Sequence, residues 1–228
     1  MRMKKRLFEI VKLVEKDKFV IDVGTDHGLV PLYLAKNGIS KKILATDISK
    51  NSLDKLNSEV FDQYRHIIKT KVTDGFKEIK SEKNQIAIIA GMGANTIIDI
   101  LEDSVQFVKR LDYLIIQSNI NNELLRRYLI EADFSIVKDF IVVENNKYYD
   151  IIKVIAKKSD INYDLSDFYF GKENIESKNE ILKEKLEKEY KKNLKFRENI
   201  INKSKDRDGL NRIDERIKAI KEVYKKWS

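Results

Sequence analysis

The sequence contains no cysteine, a single proline and only two histidines. Without cysteine, the chain has no disulfides, no thiolate nucleophile and no cysteine metal ligands. His27 and His66 alone do not make a zinc site, so we predict no metal. No apolar run approaches the roughly 20 residues that a membrane span needs, and the basic N-terminus is not followed by the apolar core of a signal peptide. We therefore expect a cytoplasmic protein.

The charge of the chain is strongly positive. Its 228 residues include 45 Lys and Arg against 37 Asp and Glu, a net charge of +8. Such a charge attracts polyanions and raises their encounter rate, which favours a nucleic-acid partner. The alternative is a lysine-rich surface that only keeps the protein in solution. Charge alone leaves both interpretations open.

Short apolar runs rich in β-branched residues alternate with longer amphipathic stretches up to about residue 157. This alternation predicts an α/β fold with helices around a mostly parallel sheet. The last two strands are close in sequence, which predicts an antiparallel hairpin within a seven-stranded sheet. The predicted strands are 19–23, 42–46, 66–72, 85–90, 113–117, 134–143 and 148–156. The predicted helices are 4–15, 29–36, 49–64, 94–108 and 121–131.

Beyond Lys158 apolar residues become sparse and charge density rises. We expect an irregular connector over 159–171 and a helix over 174–205, with a turn at 206–209. A second helix then carries an apolar seam at spacings of three and four residues, which is typical of a coiled coil. The seam consists of Leu210, Ile213, Ile217, Ile220, Tyr224 and Trp227. These patterns predict a catalytic domain over 1–157 and an antiparallel helical hairpin over 158–228.

A glycine-containing loop follows the first predicted strand, in the sequence Asp22-Val23-Gly24-Thr25-Asp26-His27-Gly28. A strand, a glycine turn and a helix in this order let the backbone approach a nucleotide, with loop amides pointing outward. A dinucleotide site would need a third glycine. Acidic residues beside the loop repel a pyrophosphate but suit a cationic ligand such as S-adenosylmethionine. The alternative is an ordinary strand-to-helix turn.

Two further acidic residues follow predicted strands. Asp47 ends the second strand, where its carboxylate can accept hydrogen bonds from ribose hydroxyls. Asp74, in the segment Thr73-Asp74-Gly75-Phe76, ends the third strand and can accept from an adenine amino group. Both positions fall at the edge of an open α/β sheet where ligands bind. Each aspartate alone is equally explained as a helix cap.

Polar and glycine-rich segments follow the fourth and fifth strands. The segment Gly91-Met92-Gly93 allows the chain to turn tightly against a bound group, and we expect it to face the reacting methyl. On the same rim, Gln117-Ser118-Asn119 offers side chains for a base edge or, alternatively, only a helix cap.

Five segments taken together closely resemble the bacterial TrmK family, whose members methylate N1 of the adenosine at position 22 of tRNA. The resemblance implies a class I, Rossmann-like methyltransferase fold, S-adenosyl-L-methionine as cofactor, tRNA as substrate and a C-terminal coiled-coil domain. Family members commonly have proline where this chain has Ser118. The segments are 22–31, 45–49, 73–76, 91–93 and 117–119.

On this basis the catalytic residues are predicted to be Asp26, His27 and Asn119. Adenine N1 carries an in-plane lone pair, so positioning should dominate over base catalysis. A carboxylate, for which Asp26 is the candidate, would stabilise the charge that develops on the methylated adenine. The predicted cofactor-binding residues are Asp22, Gly24, Asp26, His27, Asp47, Ile48, Thr73, Asp74, Gly75, Gly91 and Met92.

Two basic segments are predicted to hold tRNA phosphates. One is the N-terminal helix with Arg2, Lys4, Lys5 and Arg6. The other is the hairpin over 158–228, which has 19 Lys and Arg against 15 Asp and Glu. The alternative role of the hairpin is to stabilise or dimerise the protein, although we expect a monomer.

Other functions remain open on sequence grounds. The chain could methylate another nucleic-acid base or a protein side chain. It could also be a non-catalytic RNA-binding protein with a methyltransferase-like fold, which the retained Asp22, Gly24, Asp47 and Asp74 argue against. A nicotinamide dehydrogenase is disfavoured by the missing third glycine.

Overall fold

A computed structural model describes residues 3–25, 27–59, 62–203 and 206–228. The chain divides into two compact units. The first, here called the sheet unit, comprises Met1–Lys138 and Val142–Ser159. The second, here called the helical unit, comprises Asp139–Ile141 and Asp160–Ser228. No helix in the described ranges has the length and apolar character needed to cross a membrane.

Seven strands form one sheet in the order β3-β2-β1-β4-β5-β7-β6. Strands β1 to β5 pair in parallel, and β7 is antiparallel to β5. This arrangement confirms the predicted α/β fold. The strand order reverses between β1 and β4, and ligands of open α/β sheets bind at the carboxyl ends of strands beside such a reversal. The strands are β1 Phe19–Val23, β2 Lys42–Asp47, β3 Ile68–Val72, β4 Gln85–Met92, β5 Tyr113–Ser118, β6 Ser135–Glu144 and β7 Lys147–Ile155.

The central strands are apolar because helices of the sheet unit cover both faces. In β4, the four residues from Ile86 to Ile89 are all fully buried, and Ile115 and Ile116 of β5 are equally inaccessible. The turn between β6 and β7 consists of Asn145 and Asn146, both with positive φ, which suits a tight hairpin.

Several helices are shorter than their amphipathic patterns predict. The first helix was expected to reach residue 15 but ends at Lys12, where Leu13 and Val14 make tighter, three-residue backbone bonds to Ile10 and Val11. The helix predicted over 94–108 is interrupted at Ser104. The helices of the sheet unit are α1 Lys5–Lys12, α2 Leu29–Lys36, α3 Lys50–Glu59, a 3₁₀ turn Asp62–Tyr64, α4 Ala94–Asp103, α5 Val105–Val108 and α6 Asn122–Glu131.

The helical unit contains α7 Leu165–Phe170, α8 Lys172–Glu176, α9 Glu180–Lys203 and α10 Arg207–Trp227. Helix α7 lies inside the predicted irregular connector, so that prediction was wrong. The capping box formed by Asp164 and Asp167 explains why this helix begins where it does. Its N-terminal signal is visible in the sequence, but a helix of six residues is too short to show a helical repeat of apolar positions.

Helices α9 and α10 run in opposite directions. Two contacts show this: Arg197, late in α9, pairs with Asp214, early in α10, and Lys178, just before α9, donates to the carbonyl of Trp227 at the end of α10. Ile217 and Ile220 of the predicted seam are buried, and Val223 is buried beside them. The apolar positions Leu194 and Ile201 are exposed, since they lie beyond the buried cluster. That cluster consists of Tyr169, Phe170, Ile175, Leu182, Leu186, Ala219, Ile220 and Val223.

A buried ion pair in the sheet unit generates a stability prediction. Arg126 of α6 and Asp150 of β7 are 3.0 Å apart with side chains 0% and 1% exposed. Asp150→Ala removes this carboxylate from beside a fully buried guanidinium, so we expect the free energy of unfolding to fall by about 3–5 kcal/mol. Urea unfolding monitored by circular dichroism measures this loss. Arg65→Ala, which removes an exposed partner of Asp62, should cost less than about 1 kcal/mol.

Candidate active site

Two cavities open at the carboxyl ends of the parallel strands, and both are lined by Gly24 and Met92. The first, of about 480 Å³, is bounded by the ends of β1, β2 and β3 and by helix α4. The second, of about 440 Å³, is bounded by the ends of β1 and β4 and by helices α1 and α2. The strand reversal between β1 and β4 therefore separates two adjoining spaces at one edge of the sheet.

Gly24 makes the junction of the two cavities possible. Its φ is +72°, and a Cβ added there would lie 2.1 Å from Met92 Cε. Any other residue would be strained and would displace the methionine. His27 and Gly28 also have positive φ, so the loop turns sharply before α2 begins. Asp26, the predicted catalytic carboxylate, lies outside the described residues.

The amides of the loop are arranged differently from the sequence-based expectation. The N–H groups of Gly24 and Thr25 both donate to the carbonyl of Thr46, at 2.8 and 2.9 Å. These two amides continue the pairing of β1 with β2 and do not point outward to a ligand. The start of the loop is thus held by its neighbour strand β2.

Asp22 is a buried carboxylate at the wall of the second cavity. Burial, with a smaller contribution from the charge of Asp47, raises the pKa of Asp22 to about 6. A cationic group placed beside this carboxylate would stabilise its ionised form and lower its pKa again. Its buried position at the cavity wall makes Asp22 a candidate partner for such a group.

The predicted ribose and adenine contacts line the first cavity. Asp47 Oδ1 accepts from the Ser49 N–H at 2.7 Å, which fixes the carboxylate at the end of β2. Ile48 beside it is 75% exposed and gives this cavity an apolar surface. Thr73 and Gly75 also line this cavity.

Asp74 lines the first cavity too, but its carboxylate is already paired. Lys77 Nζ donates to Asp74 Oδ2 at 2.6 Å and lies 3.2 Å from Asp103. These carboxylates raise the pKa of Lys77. This pair of Asp74 and Lys77 was not predicted from the sequence.

The end of β4 separates the two cavities. The parallel register with β5 shifts between Ala90 and Met92, which is a bulge. Gly91, with φ of +88°, lies at the bulge and lines only the second cavity, whereas Met92 lines both. The bulge thus turns Met92 toward Gly24.

The second cavity also contains His27 and Asn119, two of the predicted catalytic residues. Asn119 is fixed by its backbone N–H, which donates to the Met92 carbonyl at 2.8 Å, and by Nδ2, which donates to the Gly91 carbonyl at 2.6 Å. Ser118, in place of the family's proline, closes the turn through its hydroxyl, which donates to the Ile120 carbonyl at 2.5 Å.

Lys4 and Arg6, which the sequence predicts to bind phosphates, both line the second cavity. The side of the first cavity supplied by α4, with Thr96 and Asp99, was not predicted from the sequence. A single helical turn separates Thr96 from Asp99 and Ile100, which is the available signal, but the pattern equally fits an ordinary solvated helix face.

The buried carboxyl of Asp22 should destabilise the ligand-free protein at neutral pH. A raised pKa means that the folded state binds more protons than the unfolded state between about pH 4 and 6, so stability falls as pH rises through this window. We expect Asp22→Asn to increase the free energy of unfolding at pH 7 by about 1–3 kcal/mol and to flatten this pH dependence. Urea unfolding at several pH values between about 4.5 and 7.5 measures both the free energy of unfolding and its pH dependence.

The exposed Asp54→Asn serves as the matched control and should change stability by less than about 0.5 kcal/mol. A loss of stability in Asp22→Asn at pH 7 would contradict a destabilising buried charge.

Comparison with known proteins places this geometry in a family. Residues 3–152 match the family model described as a methyltransferase domain. A putative tRNA methyltransferase of Mycoplasma genitalium is 33% identical over 157 residues, which cover 67% of this chain and 69% of that protein. The tRNA (adenine(22)-N(1))-methyltransferase of Bacillus subtilis is 27% identical over 173 residues, covering 72% and 69%.

A solved structure extends the similarity over nearly the whole chain. It is that of a putative tRNA (m1A22) methyltransferase of Streptococcus pneumoniae in complex with S-adenosyl-L-methionine, with a TM-score of 0.84 and 25% identity, covering 97% of this chain and 99% of that one. The matched family model spans well over half of the chain. The chain therefore belongs to the methyltransferase-domain family, and its resemblance to the bacterial TrmK enzymes is confirmed.

Proposed function

We propose that this protein transfers a methyl group from S-adenosyl-L-methionine to N1 of the adenosine at position 22 of tRNA. The observation that carries the proposal is the pair of cavities that meet at Gly24 and Met92. One has the residues for a nucleoside cofactor, and the other has room and polar groups for a nucleobase. The similarity to the Bacillus subtilis enzyme supports the choice of tRNA and of adenosine 22.

The residues of the first cavity fit S-adenosyl-L-methionine. Asp47 offers a fixed carboxylate for the ribose hydroxyls, and Ile48 offers an apolar surface for the adenine ring. Asp74 retains acceptor capacity beside Lys77 for the adenine amino group. Gly24 lines this cavity too, and because it has no side chain its backbone is accessible there to a ligand. Asp22 lines the second cavity together with Gly24, and from there its buried carboxylate can act as the partner of a positive charge on the cofactor.

When bound, S-adenosyl-L-methionine supplies an electrophilic methyl group. The task of the protein is to hold adenine N1 in line with that methyl, because N1 needs no proton removed before it attacks. His27 and Asn119 line the cavity where the base would enter. Asp26, between Thr25 and His27 in sequence, is proposed as the carboxylate that stabilises the positive charge on the product.

Extruding a stacked base costs a few kcal/mol, which contacts elsewhere on the tRNA must offset. Within the sheet unit, Lys4 and Lys5 at the start of α1 are exposed. Within the helical unit, Arg197, Lys218 and Lys221 line a shallow groove of about 400 Å³. We assign these two basic surfaces to the phosphate backbone. A tRNA substrate is in keeping with the expected cytoplasmic location.

The proposed activity is tested directly with unmodified tRNA and labelled S-adenosyl-L-methionine. We expect one methyl group per tRNA, identified by mass spectrometry as N1-methyladenosine and mapped to position 22 by primer extension. Replacing adenosine 22 by guanosine should abolish incorporation. A product on another base, or incorporation that survives this replacement, would contradict the assigned substrate.

The groove of the helical unit is tested by the double substitution Lys218→Ala with Lys221→Ala. Removing two phosphate contacts should raise the dissociation constant for tRNA and reduce the slope of its logarithm against the logarithm of salt concentration by about two. The dissociation constant for S-adenosyl-L-methionine should not change. Filter binding between about 50 and 200 mM salt measures the slope.

The matched control replaces Lys36 and Lys41, two exposed lysines near the amino-terminal edge of the sheet. It removes the same charge at the end of the strands away from the two cavities. Its salt slope for tRNA binding should equal that of the wild-type protein within experimental error. Equal effects of the two double variants would show that the groove has no specific role.

A further inference from the structure

A chain of hydrogen bonds runs along the wall of the second cavity. Arg6 Nη1 of α1 donates to Gln117 Oε1 of β5. Gln117 Nε2 donates to Asn119 Oδ1 at 3.1 Å, and Asn119 Nδ2 donates to the Gly91 carbonyl at 2.6 Å. Arg6 lies in α1, Gln117 in β5, Asn119 just after β5, and Gly91 in β4. Their order along the wall ends at Gly91, beside the place where the two cavities meet.

The two ends of this chain fix its direction. A guanidinium can only donate, and a backbone carbonyl can only accept. Gln117 must therefore turn its oxygen to Arg6 and its nitrogen to Asn119, which in turn must point its nitrogen to Gly91. Gln117 is 0% exposed, so water cannot stabilise the reversed orientation. Each amide is held in one of its two possible orientations.

Besides its bond to Gln117, Arg6 makes two further contacts. Its guanidinium lies 5.1 Å from the centre of the Tyr149 ring, and its backbone N–H donates to Glu144 Oε1 at 3.3 Å. Its Nε is buried without a hydrogen-bond partner among the described residues. A buried donor without a partner costs free energy, so stability alone does not explain this arginine.

Asn119 is exposed and lines the second cavity. Its bonds to Gln117 and Gly91 leave one lone pair on Oδ1 and one hydrogen on Nδ2. An acceptor and a donor in this order match the N6 amino group and N7 of adenine, the pairing by which asparagine commonly reads that base. Contact at the N6 and N7 edge leaves N1 free. Guanine has an oxygen at position 6 and would oppose Asn119 Oδ1 with a second acceptor.

We infer that Arg6 and Gln117 are positioning residues that fix the Asn119 amide so that it reads the N6 and N7 edge of the target adenine. The inference rests on the proposed function and adds to it the means by which the base is selected and N1 is left available. Arg6 and Gln117 need not touch the base.

The test combines a change in the enzyme with a change of one substrate atom. In Gln117→Glu the carboxylate still accepts from Arg6 but cannot donate to Asn119, so Asn119 loses its fixed orientation. The substrates are tRNA with adenosine at position 22 and tRNA with 7-deazaadenosine there, which lacks N7. The ratio of kcat/KM for the adenosine tRNA to kcat/KM for the 7-deazaadenosine tRNA should fall about tenfold from wild type to Gln117→Glu. Comparing ratios cancels the difference in intrinsic reactivity of the two bases.

Three further variants separate positioning from general damage. Arg6→Lys retains a donor and should keep most of the wild-type ratio. The exposed Asn119→Asp, which loses the donor to N7, should lower the ratio as Gln117→Glu does and serves as the test if Gln117→Glu does not fold. Gln85→Glu makes the same change at another buried glutamine, which donates to the Lys80 carbonyl near the amino end of β4, and should leave the ratio unchanged. Binding of S-adenosyl-L-methionine, measured by calorimetry, verifies that each variant is folded.

The inference is overturned if Gln117→Glu and Asn119→Asp reduce kcat/KM equally on both substrates, because the chain would then serve only the structure. That result differs from a failure of the proposed function, in which the wild-type protein would not methylate the adenosine-containing tRNA.

Discussion

The close approach of Met92 to Gly24 is the contact on which the site depends. Residue 24 has a φ of +72°, and a Cβ there would come within 2.1 Å of Met92 Cε, so glycine lets the loop after β1 turn beneath the Met92 side chain where the end of β4 crosses it. The bulge in β4 directs the methionine toward this gap. The crossing divides one sheet edge into two adjoining cavities. A methyl donor in one and an acceptor in the other would meet where the two residues touch.

Stability and function oppose each other around this contact. Asp22 is buried, and its pKa of about 6 reflects the cost of a charge in that environment. A cationic cofactor would offset this cost, so the free energy given up by the ligand-free protein becomes affinity for the bound ligand. The unpaired Nε of Arg6 is a second local cost in the same wall. Both costs lie above a core in which Ile86 to Ile89 of β4 and Ile115 and Ile116 of β5 are fully buried.

The sequence predicted those parts of the site that lie at strand ends. Asp47 follows a regular buried strand, and the glycine loop follows another, so hydrophobic periodicity locates both. Contacts between distant segments could not be predicted in this way. Arg6 and Gln117 are 111 positions apart, and only the packing of α1 against the strand ends joins them. The loop amides also departed from expectation, because Thr46 accepts from both Gly24 and Thr25 and nothing in the loop itself signals that partner.

Ser118 stands where members of the TrmK family commonly have proline, and it still closes the turn after β5. The turn after β5 must hold Asn119 with its amide toward Gly91. A proline would restrict that turn through its ring, whereas Ser118 restricts it through a hydroxyl bonded to Ile120. The backbone N–H of Asn119 then meets the Met92 carbonyl. Through this bond the end of β4, whose Met92 lines both cavities, also fixes the position of Asn119.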